Sequence, residues 1–257
     1  MKSQLEIINE QFTKQAPNFS KYQSTEKKQQ FNRTLIEQMH LCGNENALEV
    51  AAGTCSLGRM LAPKLRHITE LDATRAMLDK GKEENEKAGI TNADYIIGTA
   101  MRLPFEGEAF DIVVSRLAFH HFENPLLAFS EMCRVLKSGG LLAAADMLAR
   151  DEPFRGSADK YEHMRDQSHV RCLSENELVD LAEKHHLKIE YCSIFDIQVS
   201  LDSWMDLTGV KPEIRRIITA DMLRDTKGGT ETGFSPYIEN REIRFDQKWL
   251  MLICRKS

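Results

Sequence analysis

Glu49 stands inside the apolar run Ala47-Leu48-Glu49-Val50-Ala51, which leads directly into the turn Ala52-Gly53-Thr54-Cys55-Ser56-Leu57-Gly58. Burying an unpaired carboxylate is costly. A glutamate at this point therefore implies a cationic or hydrogen-bonding partner, either at a ligand site or as a structural ion pair at a sheet edge. Gly53 permits close backbone approach or a positive φ, and the N–H groups opening the following helix can hold a polar ligand. Asp72 closes the run His67-Ile68-Thr69-Glu70-Leu71-Asp72, 19 residues beyond Gly53. An acid at that distance, on the end of a second strand, can accept hydrogen bonds from both hydroxyls of a ribose. It can also cap a helix beginning near Thr74; the spacing together with the strand-end position favours the ribose.

Three further groups carry chemistry. Arg116 follows the run Phe110-Asp111-Ile112-Val113-Val114-Ser115 and can orient a carboxylate, with a local salt bridge as the structural alternative. His120 and His121 come just after it and are the candidates for a general base, against a plain packing role. His163, Arg165, Asp166, His169 and Arg171 form a polar cluster that either faces a ligand or decorates a solvated helix. His185-His186 reads as a favourable positive end of a helix. The six cysteines (Cys42, Cys55, Cys133, Cys172, Cys192, Cys254) show no paired spacing, and neither they nor the histidines are spaced as metal ligands, so no metal, zinc site or disulfide framework is expected.

The elements that would position these groups alternate. Strand patterns at 47–51, 67–72, 93–98, 110–115 and 140–147 are near-continuously apolar, as parallel strands covered on both faces must be. Helix patterns fall between them at 57–65, 74–87 and 125–136, the last with Pro125 in its first turn. Such alternation predicts right-handed crossovers and a doubly wound sheet with its ligand crevice at the carboxyl ends of the strands. Beyond residue 150 a charged segment precedes Ser174-Glu175-Asn176-Glu177, a capping box opening a helix to His186. Two more strands follow at 188–200 and 245–257, separated by a helical stripe of Ile214, Ile217, Ile218 and Met222 and a turn-rich stretch. A connection of that length reads as a lid or a substrate-side insertion.

The chain has 257 residues, 42% of them hydrophobic and 28% charged. That is enough for one large α/β domain with an insertion. The net charge of −5 tilts against a nucleic-acid binder. No apolar run reaches the roughly 20 residues of a membrane span, and the N-terminus lacks a signal-type apolar core. A cytoplasmic protein without membrane attachment is expected.

Gly53 and Asp72 alone allow either a dinucleotide or another adenosine cofactor. The segments Ile97-Gly98-Thr99-Ala100-Met101-Arg102-Leu103-Pro104-Phe105, Phe110–Ser115, His120-His121-Phe122 and Arg134-Val135-Leu136-Lys137-Ser138-Gly139-Gly140 narrow the choice. In this order they resemble the class I S-adenosylmethionine (SAM)-dependent methyltransferases, in particular the methyltransferase type 11 and ubiquinone/menaquinone-biosynthesis-like group. The resemblance spans about 46–147 and is most specific in LPF-x4-FD and RVLKSGG. SRLAFHHF (115–122) and RDQSHVR (165–171), with Phe12, Ala16 and Phe19, are similar to a narrower bacterial subgroup.

The resemblance implies a doubly wound, Rossmann-like α/β fold with a seven-stranded, mostly parallel sheet, helices on both faces and an insertion before the last strand. It implies a helical cap at 1–45, a SAM-binding core at 46–200, a lid or substrate insertion at 201–240 and the last strand at 241–257. Glu49, Ala51, Gly53 and Cys55 would surround the methionine and ribose of SAM, Asp72 the ribose hydroxyls, Ala73 the adenine pocket, and Thr99, Ala100 and Met101 the adenine. Arg116 would lie at the methionine end. The family's usual D/E-x-G-x-G-x-G turn is E-x-A-x-G-x-C here, so Ala51 and Cys55 are expected to fit with negative φ and Cys55 to add bulk beside the ligand. Thr99 replaces the family's usual aspartate. The implied activity is in-line methyl transfer from SAM to a small molecule, leaving S-adenosylhomocysteine (SAH); a homodimer is compatible with it. A SAM-binding protein without catalysis and a nucleotide-dependent oxidoreductase are the alternatives.

Overall fold

The computed structural model describes residues 2–19 and 25–257; residues 20–24 of the N-terminal segment lie outside the described residues. The chain opens with α1 (Gln4–Gln15), whose Ser3 and Glu6 form a reciprocal capping box, and continues with α2 (Glu26–Gln38). Then β1 (Asn46–Val50), α3 (Ser56–Leu61), β2 (His67–Asp72), α4 (Arg75–Lys87), β3 (Ala93–Ile97) and β4 (Phe110–Arg116) alternate as the apolar runs predict. They are followed by α5 (Pro125–Val135), β5 (Leu136–Met147), α6 (Arg155–Arg165), α7 (Glu175–Lys184) and β6 (Lys188–Ser200). The chain ends with α8 (Leu201–Thr208), α9 (Pro212–Asp225), the short β7 (Tyr237–Glu239) and β8 (Glu242–Arg255).

The strand order is β3-β2-β1-β4-β5-β8-β6, with β7 paired to β8. Neighbours from β3 to β5 are parallel, and β8 runs antiparallel to β5, β6 and β7. The seven expected strands are present. The eighth, β7, was not read from the sequence; only three residues long, it carries too short an alternation to register.

Alternating strand residues feed two cores. Ala47, Ile112, Val114, Leu141 and Ala143 pack with Phe31 and Leu35 of α2 and Leu57 and Leu61 of α3. Leu48, Val113, Leu142 and Ala144 pack on the other side with Phe129 and Met132 of α5 and Leu178 and Leu181 of α7. A period of two therefore buries both sides of each central strand, which explains why they read as continuous apolar runs. Ile218 and Met222 of α9 join the first core, whereas Ile217 is exposed. The capping box of α7 forms as expected, and Asn124 caps α5 ahead of Pro125. No helix among the described residues is long and apolar enough to cross a membrane. All six cysteines are free thiols.

Candidate functional site

The sheet order reverses between β1 and β4, and the loops leaving their carboxyl ends diverge. In an open α/β sheet that divergence makes a crevice. Here it widens into a cavity of about 670 Å³, walled by the turn after β1, the ends of β2 and β4, α1, the end of β6, α8 and β8. Glu49, Ala51, Gly53, Asp72, Ala73, Thr99, Ala100, Met101, Arg116, His120 and His121 all line it.

Cys55 does not line it. Its side chain is buried beside Ala52 and Leu78 of α4, and a Cβ placed on Gly81 of α4 would overlap its sulfur. The expected bulk beside a ligand is therefore absent, and the thiol instead locks the turn onto α4. The expectation of negative φ at Ala51 and Cys55 is also overturned. Ala51, Gly53 and Cys55 have φ of 58°, 55° and 55°, all left-handed. The turn thus keeps the conformation a glycine-rich sequence adopts, and two L-residues accept the strain because their surroundings fix the backbone. A left-handed non-glycine residue costs roughly 1–2 kcal/mol. Ala51→Gly is accordingly expected to stabilise the protein by about 1 kcal/mol and raise Tm by roughly 2–4 °C. Calorimetric melting checks this; an unchanged Tm would mean the turn stores no strain.

Glu49 sits in the middle of the sheet, not at an edge, and is 2% exposed. Its Oε2 accepts from the Gly58 N–H at 2.8 Å, tying the strand to the first turn of α3. Its cross-strand neighbour on β2 is Glu70, fully buried, with no hydrogen-bond donor at either oxygen among the described residues. A Cβ on Gly58 would overlap the Glu70 carboxyl, so only glycine admits this packing. Burial, then the adjacent Glu49 charge, raises Glu70 well above the ordinary carboxylate range. Two facing carboxyls in such a place share one proton. Glu70 holds it, since Glu49 has the Gly58 N–H and the nearby Arg116 charge to favour ionisation.

A raised carboxyl in the folded state means that folding takes up a proton as pH rises past 4.5, the ordinary value. Stability is then fully present below 4.5 and declines above it, by up to about 1.4 kcal/mol per pH unit for one proton. Glu70→Gln, neutral at every pH, is expected to flatten that decline. Urea unfolding from pH 5 to 8 checks it; parallel slopes in the two proteins would refute the shared proton.

Asp72 uses both oxygens on the backbone: Oδ2 accepts from Gly53 N–H and Oδ1 from Thr74 N–H, each at 2.8 Å. The N-cap of α4 is Thr74, without a side-chain cap bond, so Asp72 does not serve as that cap; its carboxylate closes the turn ahead of the helix and lines the cavity. Burial raises its pKa, and the N–H groups of Thr74, Gly53 and Ala73 pull it back. Arg116 Nη2 donates to Ser56 Oγ at 3.0 Å. Its buried Nε–H has no acceptor among the described residues.

His120 Nδ1 lies 2.6 Å from Asp146 Oδ1, and Asp146 Oδ2 accepts the His120 backbone N–H at 3.1 Å. Among the described residues Nε2 has no hydrogen-bond partner. Burial pulls the imidazolium down, but the charge and hydrogen bond of Asp146 outweigh it and leave His120 above its usual 6.5. His121 is the opposite case: burial, then the neighbouring His120, lowers it to about 3. Its Nδ1–H donates to the Ser168 carbonyl at 3.0 Å, and its ring meets Phe12 of α1 edge-on with centroids 5.1 Å apart. Of the polar cluster after β5, Arg165 and Asp166 reach the cavity, while His163, His169 and Arg171 do not. Arg171 pairs with Glu177 at the start of α7, and His185 bonds Leu181 O and Ser130 Oγ within the helical layer.

The structure brings together Asp159, His169 and Cys172, whose ligand-type atoms lie within 4.8 Å of one another. They are already engaged, His169 Nε2 with Asp159 Oδ1 at 2.9 Å and the Cys172 N–H with the same oxygen. Lys28, Asp146, Trp204, Gln247 and Trp249 were not read as site residues, yet Lys28, Trp204, Gln247 and Trp249 line the cavity. Asp146 carries the signal that singled out Glu49: an acid in an apolar strand.

A family described as Methyltransferase domain matches residues 48–144. The uncharacterized methyltransferase YcgJ of Bacillus subtilis (strain 168) is 28% identical over 75% of this chain and 79% of its own length. Its crystal structure superposes with a TM-score of 0.81, covering 89% of this chain and 99% of that one at 24% identity. The uncharacterized protein YafE of Escherichia coli (strain K12) is 30% identical over 56% of this chain and 70% of its own length. The geranyl diphosphate C-methyltransferase of Streptomyces coelicolor A3(2), solved with Mg2+, geranyl diphosphate and SAH, is 13% identical. It shares the fold at a TM-score of 0.62 over 90% of this chain and 79% of that one.

Proposed function

Because the chain belongs to the methyltransferase-domain family, we propose that it is an enzyme transferring a methyl group from SAM to a small-molecule acceptor. The observation that carries this reading is the left-handed turn at 51–55 with the Asp72 carboxylate beside it, both opening into one cavity at the switch point of the sheet.

The residues fit the cofactor. Asp72 has lone pairs left for two ribose hydroxyls. Ala73, Thr99, Ala100 and Met101 form the wall on the β2–β3 side for the adenine, and the Thr99 hydroxyl can accept from its amino group. Ala51 and Gly53 let backbone come close to the methionine chain. The orphaned Nε–H of Arg116, beside Ser56 at the start of α3, matches the methionine carboxylate.

SAM, when bound, supplies a methyl on a cationic sulfonium whose S–CH3 bond breaks toward sulfur, giving SAH without any leaving-group protonation. The protein's part is to align the acceptor's lone pair on the far side of that methyl and to keep water out, which can supply several kcal/mol. The cavity is roofed by α1 on one side and by α8 and β8 on the other. We assign the segments 1–45 and 201–240 as the two halves of this cover. His120, oriented through Nδ1 by Asp146, presents Nε2 as the base where the acceptor must lose a proton.

A SAM binder without catalysis is motivated by Ala51, Cys55 and Thr99. With Cys55 facing α4 and the turn in its glycine-like shape, the first two no longer favour it, and the Thr99 hydroxyl can still accept, so the enzyme reading is preferred.

Calorimetry with SAM, SAH and NADH tests the proposal. Binding of the SAM pair in the nanomolar-to-micromolar range is expected, with none of NADH, followed by turnover in an acceptor screen with methyl-labelled SAM. No SAM binding would overturn the cofactor assignment, and binding without turnover across the screen would favour the non-catalytic reading.

A further inference from the structure

Behind His120 a second group of titratable side chains lies outside the cavity. Asp159 of α6, with His169 and Cys172 of the segment leading to α7, brings a carboxylate oxygen, an imidazole nitrogen and a sulfur within 4.8 Å of one another. Carboxylate, imidazole and thiolate are the ligand types that zinc takes. The expectation of no metal rested on spacing along the chain. Asp159 precedes His169 by ten residues, and only the packing of α6 joins it to the other two.

The backbone around these groups is held in place. The Cys172 N–H donates to Asp159 Oδ1 at 2.9 Å, and the Cys172 carbonyl accepts from Arg155 at 3.0 Å. The His169 N–H donates to the Asp166 carbonyl, and the His169 carbonyl accepts from His163 Nδ1. The His169 side chain is 0% exposed and that of Asp159 is 20% exposed. The imidazole is thus fixed in the interior, while the carboxylate opens a way in from solvent. A cavity of about 20 Å³ borders Asp159, Cys172 and Glu162. It has room for the single water that completes a four-coordinate ion with three protein ligands.

Protonation and charge also suit a divalent cation. The His169 ring has one hydrogen bond, from Nε2 to Asp159 Oδ1 at 2.9 Å. Its Nδ1 is buried without a partner among the described residues, so no second contact locks the tautomer. Nitrogen and oxygen on one tetrahedral zinc stand about 3.3 Å apart; the pair need only separate by about 0.4 Å from its 2.9 Å contact. Sulfur has to come within about 3.5 Å of each, a movement of the size a side-chain torsion supplies. Burial first, then the charges of Glu162, Asp146 and Asp159, pushes the Cys172 thiol well above its ordinary 9.0, against the Arg150 guanidinium. A cation at the sulfur reverses that balance, because a coordinating thiol loses its proton.

We propose that Asp159, His169 and Cys172 form a zinc-type divalent cation site, binding through the carboxylate, Nε2 and the thiolate with water in the fourth position. On binding, the thiol proton leaves to solvent and the imidazole proton sits on Nδ1. The two anionic ligands then cancel the two charges of the ion, as burial demands. The His169 ring is centred 5.7 Å from that of His120, so the ion is a neighbour of the candidate base without entering the cavity.

The test uses full-length protein washed free of metal with a chelator. Calorimetric titration with Zn2+ is expected to saturate at one ion per chain. Co2+ should produce a near-ultraviolet thiolate-to-cobalt absorption band that added Zn2+ abolishes. Cys172→Ser should lose the band. Asp159→Asn should weaken Zn2+ binding by roughly 100-fold or more, beyond the usual cost of losing an outer-shell partner. Both variants are compared with wild type for Tm in the metal-free state. The double variant Cys42→Ser/Cys192→Ser, which lacks the two exposed thiols, should bind as wild type does. No Zn2+ binding or no cobalt band in the wild type overturns the proposal without recourse to any variant. A band that survives Cys172→Ser, or an affinity unchanged by Asp159→Asn, overturns it too. Neither SAM nor an acceptor enters these measurements, so their outcome and that of the methyl-donor reading remain separate.

Discussion

Asp72→Ala is expected to lower SAH affinity by roughly 100-fold or more, since two hydrogen bonds to a charged acceptor are worth about 1.5–3 kcal/mol each. The same substitution removes the acceptor of the Gly53 and Thr74 N–H groups, so Tm must fall as well, at a cost of about 1–3 kcal/mol for each buried N–H left unpaired. Affinity and stability therefore have to be separated. A SAH analogue lacking the 2′-hydroxyl does this: wild-type protein should bind it clearly more weakly than SAH, and Asp72→Ala should treat the two alike. A variant that keeps wild-type affinity for SAH, or still discriminates between the two, would remove Asp72 from the ribose.

His120→Gln is the second large effect. Removing a positioned general base typically costs 10²- to 10⁴-fold, and a loss of about that size in methyl transfer is expected with SAH affinity nearly unchanged. The sign of the pH dependence follows from the Asp146 contact. Transfer needs the neutral imidazole, so the rate should rise with pH and level off above a midpoint higher than the ordinary 6.5, because Asp146 holds the proton on His120. Asp146→Asn removes that charge and should move the rising limb to lower pH while also reducing the plateau, since the ring loses its orienting partner. Rate profiles with an acceptor found in the labelled-SAM screen measure both. If His120→Gln transfers methyl at the wild-type rate, the dyad orders the loop and nothing more.

Much of this site was legible because ionisable residues in apolar strands stand out by cost. Glu49 announced itself in this way and Asp72 by its spacing from Gly53 at a strand end, and the alternation of apolar runs placed them on neighbouring strands. Asp146 broke the same rule in Gly140–Met147 and passed unremarked. Its partner His120 lies 26 residues away, and only the parallel pairing of β4 with β5 joins them. Glu70 was hidden for a related reason, as its meaning depends on the register that sets it opposite Glu49. The φ values at Ala51 and Cys55 ran against residue preference: local chemistry argued for negative angles, and tertiary contacts to α4 and Asp72 imposed positive ones. Lys28 sits in a polar helix with nothing in its neighbourhood to mark it. The capping box at Ser3–Glu6 was plainly written, so α1 could have been bounded from sequence alone.

The contacts that hold α1 also bear on how the molecule assembles. Gln4 donates to the carbonyls of His121 and Ser168, and Gln15 to Asp166, across separations of 117, 164 and 151 residues. Among the described elements this helix is the first made on the ribosome; it packs against α4 and α8, yet these hydrogen bonds have no partner until two thirds of the chain has followed it. Its local capping box can form at once, but its apolar side, including Phe12, must wait for a surface. Contacts at such separation form late because loop closure must precede their reward. The α1 side of the roof is thus fastened late, and a nascent chain stalled before residue 168 would carry the β1 turn with that cover lacking the hydrogen bonds that hold it.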